Sequence, residues 1–199
     1  MKWIIAAALA VPLLLNAVAN AGTINGKVSG VTGVSVVYID AIPGRSFPPP
    51  MAKASMDQKN LLFIPAVLVV EQGTTVEFKN SDTVAHNVAW SSVGANKRLA
   101  HNMGTWPKGE TRAFKFDNPG AIPIMCYVHP EMEAHIIVSP TPYFAETDAT
   151  GAYKIENVPD GSYTLTAWNA GAKGQSKPVT VSGETTADFS LTKLMTGGR

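Results

Sequence analysis

Cysteine is all but absent: the 199 residues contain one, Cys126. An internal disulfide is therefore excluded, and the fold must rest on packing and hydrogen bonds. An excess of one charge is also missing, with 16 lysines and arginines against 15 acidic residues. This excludes the basic stripe a nucleic-acid partner needs and the polybasic patch a membrane surface attracts. Long apolar runs are absent after residue 21, and no later stretch sustains an apolar repeat at helical spacing. Helical bundles and spanning helices are excluded there.

The N-terminus is the exception. Met1-Lys2 is a short positive start, residues 4–18 are almost wholly apolar around Pro12, and Ala19-Asn20-Ala21 has the form of a cleavage site. Residues 1–21 are expected to be a secretory signal peptide, with no membrane insertion once it is cleaved. No cysteine follows the apolar run, which argues against a lipid anchor, and cleavage removes only Lys2 from the charge balance. An exported chain meets an oxidising compartment, where a lone thiol is open to oxidation unless it is buried or held by a metal. Cys126 is the residue to explain.

What is present is β-sheet patterning. Short runs rich in Val, Ile, Phe and Tyr lie between Gly, Pro, Asn and Asp, clearest at residues 34–39, 67–70, 74–78, 111–116 and 163–168. The expected fold class is all-β, built as sandwiches. Residues 53–59 read as a turn or an irregular edge, and Trp90, Trp106 and Trp168 are expected to pack the sandwiches. Two proline-rich connectors, around Pro43 to Pro50 and at Pro140-Thr141-Pro142, divide the mature chain. The expected division is residues 22–48 as opening strands, 49–140 as a central domain, and 141–199 as a small second sandwich. The central segment holds the cysteine and all four histidines.

Cys126-Tyr127-Val128-His129-Pro130-Glu131-Met132 places a thiol, an imidazole and a thioether within one short loop. The preceding strand puts Ile122, Ile124 and Cys126 on one face by period-two alternation, so the cysteine leaves the end of a buried strand. A fourth donor must come from elsewhere, and His86, just after the 74–78 strand, is the obvious source. Two imidazoles, a thiolate and a weak axial thioether form the donor set of blue copper sites. The soft sulfurs suit Cu(I), and the imidazoles also support Cu(II). Zinc competes for Cys and His, although Met is a poor zinc ligand and structural zinc sites favour several cysteines. His101 and His135 have no partner at ligand spacing and are expected to be solvent-exposed and structural, respectively. Met125 points away by alternation. Glu131 is expected to be solvated; turned inward, its hard oxygen would alter the site.

These residues resemble the plastocyanin/amicyanin branch of the cupredoxins. Phe63-Ile64-Pro65, Val70-Glu71-Gln72-Gly73-Thr74-Thr75-Val76, Phe78-Lys79-Asn80 and Asn118-Pro119-Gly120 fall in that family's order, and the ligand loop is short, as in amicyanins. The resemblance implies a Greek-key β-sandwich with one type 1 copper, cycling between Cu(I) and Cu(II), on His86, Cys126, His129 and Met132. It also implies that Asn87 ties the His86 segment to the ligand loop and donates toward the Cys126 sulfur, with the His129 ring edge near the surface. The tail, with Asp148-Ala149-Thr150-Gly151-Ala152-Tyr153 and Pro159-Asp160-Gly161-Ser162-Tyr163, resembles carboxypeptidase-regulatory or transthyretin-like sandwiches. The tail alone lacks that family's opening strands, and residues 22–40 look like them. Either the flanks form one small transthyretin-like β-sandwich with the copper domain inserted, or residues 22–47 add strands to the copper domain.

The function expected is one-electron transfer to and from a redox partner protein, in a bacterial periplasm. No reaction on a substrate is implied, since four protein donors leave no open position and no His-x-His pattern offers further coppers. Two other readings stand beside it: a copper delivery or buffering protein without redox work, and a docking subunit of a periplasmic oxidoreductase. Delivery would favour exposed Met-rich loops, and there are none.

Overall fold

The structure is a computed structural model and describes residues 21–194. The expected signal peptide lies outside the described residues but for Ala21, the first residue of β1. Two strands open the chain, β1 (Ala21–Ser29) and β2 (Ser35–Ile39). The central segment contributes β3 (Ala54–Lys59), β4 (Leu62–Ile64), β5 (Val67–Glu71), β6 (Thr74–Asn80), β7 (His86–Trp90), β8 (His101–Trp106), β9 (Thr111–Phe116), β10 (Gly120–Met125) and β11 (Glu133–Ser139). The tail adds β12 (Phe144–Glu146), β13 (Ala152–Pro159), β14 (Gly161–Asn169), β15 (Ala172–Lys173), β16 (Gln175–Val181), β17 (Glu184–Thr186), β18 (Phe189–Ser190) and β19 (Thr192–Lys193). No helix among the described residues is long and apolar enough to cross a membrane.

The central strands form two sheets, ordered β4-β3-β6-β9 and β5-β11-β10-β7-β8. Inward-facing Met56, Phe78, Trp90, Trp106, Phe116, Ile122, Ile124 and Ile136 fill the space between them. A second core, with Ile24, Val37, Ile39, Tyr153, Leu165 and Phe189, lies between sheets β12-β2-β14-β16 and β13-β1-β17. The opening strands meet the tail here: β2 pairs with β12 and β14, and β1 pairs with β13, β17 and β18. The molecule is all-β, with two packed layers around each core.

Two expectations need correction. Residues 53–59 are no turn or irregular edge: β3 is a regular strand, parallel to β6 and antiparallel to β4. Its sequence, Ala-Ser-Met-Asp-Gln-Lys, hides the alternation because the next buried residue after Met56 is Gln58, whose Nε2 donates to the Lys79 carbonyl at 3.0 Å. Trp90 and Trp106 are buried as expected, but Trp168 is half-buried on β14, with its ring 5.0 Å from that of His135 on β11. It bridges the two sandwiches instead of filling one.

The strand that carries Cys126 begins at a backbone position only glycine suits. Gly120 has φ of +138°, and a Cβ there would sit 3.0 Å from the Gly94 amide nitrogen. The close approach is used, because the Gly94 N–H donates to the Ala121 carbonyl at 2.8 Å and pins the 91–100 connection to β10.

Candidate metal centre

His86 opens β7, and Cys126 follows the last residue of β10. These strands are neighbours, with Met125 opposite Ala89 and Ile124 opposite Trp90, so strand pairing alone carries the thiol to the histidine's end of the sheet. His129 and Met132 lie on the short loop between β10 and β11. That loop closes on itself: the Met132 N–H donates to the His129 carbonyl at 3.0 Å and the Cys126 N–H donates to the Met132 carbonyl at 3.3 Å. The sequence favours this turn because Pro130 follows His129 and cannot extend a ladder.

One donor atom from each of His86, Cys126 and His129 lies within 4.8 Å of the others. The two Nδ1 atoms are 3.0 Å apart, and Cys126 Sγ is 3.9 Å from His129 Nδ1. His86, Cys126 and Met132 are buried, while His129 is half-buried between the exposed residues Val128 and Pro130. Met132 belongs to the same apolar core as Cys126 and Ile124. Met125 is half-buried and Glu131 exposed. His101 and His135 lie apart from the cluster. The exposed His101 ring packs on Trp90 at 5.1 Å and Phe114 at 4.9 Å. His135 rests on Trp168, and burial lowers its pKa despite the carboxylate of Glu133 nearby.

Asn87 stands between the two strand ends. Its backbone N–H donates to Cys126 Sγ at 3.3 Å, and its Oδ1 accepts from the Tyr127 N–H at 3.3 Å. Its Nδ2 donates to Asn102 Oδ1 at 2.8 Å and to the Gly104 carbonyl at 2.9 Å. Asn102 therefore buttresses Asn87 from the neighbouring strand β8. Sequence reasoning missed it because a polar residue in a polar stretch has no periodic signature.

Asp82 was missed as well. Its Oδ2 lies 3.0 Å from His86 Nε2, and since a carboxylate only accepts, the imidazole donates. Spacing offered the one usable signal, an acid four residues before a candidate ligand. The Leu61 amide, then the His86 ring and the Thr83 amide, hold the Asp82 carboxyl well below the usual carboxylate range.

Two imidazoles beside a thiol, with a buried thioether on the same loop, make a mixed borderline and soft donor set. Residues 50–139 match the family described as copper binding proteins, plastocyanin/azurin family. The central segment carries a cupredoxin domain. Residues 138–189 match a different family, polysaccharide lyase family 4, domain II. No curated protein matches the chain. Among solved structures, a reduced Cu(I) form of an amicyanin mutant is 21% identical with a TM-score of 0.41, over 45% of this chain and 85% of that one. A purple cupredoxin from Nitrosopumilus maritimus is 23% identical with a TM-score of 0.39, over 44% of this chain and 100% of that one. A copper-containing nitrite reductase from Thermus scotoductus is 24% identical with a TM-score of 0.42, over 52% of this chain and 25% of that one. Copper is the metal of the cupredoxin domain, and the chain fits it: the clustered donors are those that serve both of its oxidation states.

Proposed function

We propose that the protein is an exported one-electron carrier whose type 1 copper would be held by His86, Cys126 and His129, with Met132 as the weak fourth donor. The observation that carries this reading is the convergence of His86 Nδ1, His129 Nδ1 and Cys126 Sγ at the ends of two paired strands. Bound there, copper supplies a reversible Cu(II)/Cu(I) couple. The chain's part is to hold its donors still. His86 and Cys126 are fixed by β7 and β10, and the ligand loop by its own two backbone bonds. Asn87 ties these parts together and donates to the sulfur, and such outer contacts tune a potential.

Several further features belong to the same reading. The half-buried His129 offers a ring edge to a redox partner, among apolar side chains left in solvent: Tyr127 at 62% and Val128 at 48% exposure. Four protein donors leave no position for a substrate, which favours a carrier over an enzyme. Burial of His86, Cys126 and Met132 favours it over delivery, since buried donors part slowly with metal. The leader over residues 1–21 supports a periplasmic location. For the domains, residues 22–48 and 141–199 form one transthyretin-like sandwich with 49–140 inserted. The pairing of β1 and β2 with tail strands supports this arrangement.

The test is the visible spectrum of the mature chain after Cu(II) addition, beside Cys126→Ser. An intense thiolate-to-copper band, absent from the variant and bleached reversibly by ascorbate, is expected. A colourless protein that still binds copper overturns the carrier reading in favour of delivery or storage.

A further inference from the structure

The side of His86 away from the cluster is as carefully built as the side facing it. Asp82 is buried at 8% exposure, and its carboxylate has three partners. Oδ2 faces His86 Nε2 at 3.0 Å and accepts from the Leu61 N–H at 2.8 Å, while Oδ1 accepts from the Thr83 N–H at 2.7 Å. Its backbone is fixed too: the Asp82 N–H donates to Asn80 Oδ1 at 3.0 Å, and Asn80 Nδ2 donates to the carbonyls of Val84 and Trp106. Trp106 is the residue directly opposite His86 on β8. The acid and the imidazole thus share one frame.

Leu61 reaches Asp82 from a tight turn. Asn60 and Leu61 are the two-residue loop of the β3–β4 hairpin, with Lys59 opposite Leu62, and have the positive φ, +54° and +59°, that such a loop requires at both positions. The turn so formed aims the Leu61 amide at Asp82 Oδ2.

We propose that Asp82 is the positioning residue of the metal centre: it holds His86 as the Nε2–H tautomer and so presents an Nδ1 lone pair toward Cys126 and His129. The proposal rests on the reading of His86 as a copper ligand. In a neutral imidazole one nitrogen donates and the other accepts, so a proton committed to Asp82 leaves Nδ1 free for a metal. The carboxylate also sets a negative charge one ring away from the cluster. That charge favours the higher oxidation state and lowers the reduction potential relative to a chain without it.

Two variants separate these roles. Asp82→Asn keeps an acceptor and a similar shape but loses the charge; Asp82→Ala loses both. Nitrogen-15 spectra of the copper-free protein read the tautomer directly. Wild type is expected to show a proton on His86 Nε2, and Asp82→Ala a mixture of tautomers with Cu(II) affinity reduced about 10–100-fold. Asp82→Asn is expected to keep the visible band with the balance shifted toward Cu(I) by about tenfold, or about 59 mV for one electron. A wild-type His86 protonated at Nδ1 overturns the proposal, as does an Asp82→Ala chain with unchanged tautomer and affinity. The two readings fail differently. A missing thiolate band in copper-loaded wild type overturns the ligand assignment, while a normal band with the other tautomer overturns only the role of Asp82.

Discussion

The backbone N–H of Asn87 donates to Cys126 Sγ across 3.3 Å, so the sulfur is bonded to the residue next to His86 before any metal arrives. That contact depends on where Asn87 sits, and its side chain is held by Asn102 and Gly104. Asn102→Ala removes one of those holds without touching any of the donors proposed for copper. The expected outcome is a displaced thiolate band and a stability loss of about 1 kcal/mol, the net worth of a typical hydrogen bond. Absorption spectra and denaturant midpoints check both; an unmoved band would show that Gly104 alone suffices.

Met132 can be tested by exchanging softness for hardness at constant size. Met132→Gln replaces a thioether with an amide oxygen, which favours Cu(II) over Cu(I). The reduction potential should fall, by about 59 mV for each tenfold change in relative affinity. Met132→Leu removes the donor and should raise it. Equal potentials in wild type and both variants would remove Met132 from the ligand set.

Thr141 is buried where the central segment returns to the flanking sandwich, and its hydroxyl donates to the Ile39 carbonyl at 2.8 Å. Thr141→Val keeps the shape and deletes that donor. A buried group left unpaired costs about 1–3 kcal/mol, so the denaturation midpoint should drop by that equivalent. The visible spectrum of copper-loaded protein should not change.

Asp148 organises the turn before β13. Its Oδ1 accepts from the Thr150 hydroxyl and from the amides of Thr150 and Ala152, which hold its pKa below the ordinary value of 3.8. A carboxyl depressed in the folded state contributes stability that is present above its unfolded value and lost as pH falls through the folded one. Asp148→Asn should therefore melt lower than wild type at pH 7, with the gap closing below about pH 4. A gap independent of pH would mean that geometry alone, without charge, sustains the turn.

Much of this was legible because the relevant signals are short-ranged. Alternation exposes strands such as β6 and β9, and a thiol, an imidazole and a thioether within seven residues announce metal chemistry at any burial. Where tertiary contacts decide, the sequence is silent. β3 hides behind a buried glutamine whose Nε2 donates to a neighbouring strand's carbonyl. Asn102 acts on Asn87, 15 residues distant, and the Leu61 amide that holds Asp82 lies 21 residues from it; no periodicity encodes such pairs. Trp168 reads as core by composition but stands half-buried on the outer face of β14, where its ring meets that of His135.

The chain leaves the flanking sandwich after Ile39 and returns at Thr141, and the two crossings are stitched side by side: the Thr141 hydroxyl bonds the Ile39 carbonyl, and the Ile39 amide bonds the Tyr143 carbonyl at 3.0 Å. A body hung from one connecting strand can spin about it. Two adjacent strands resist that swivel, and the Trp168–His135 contact adds a third point of attachment. Whatever grips the flanking sandwich therefore sets the compass bearing of the His129 edge as well.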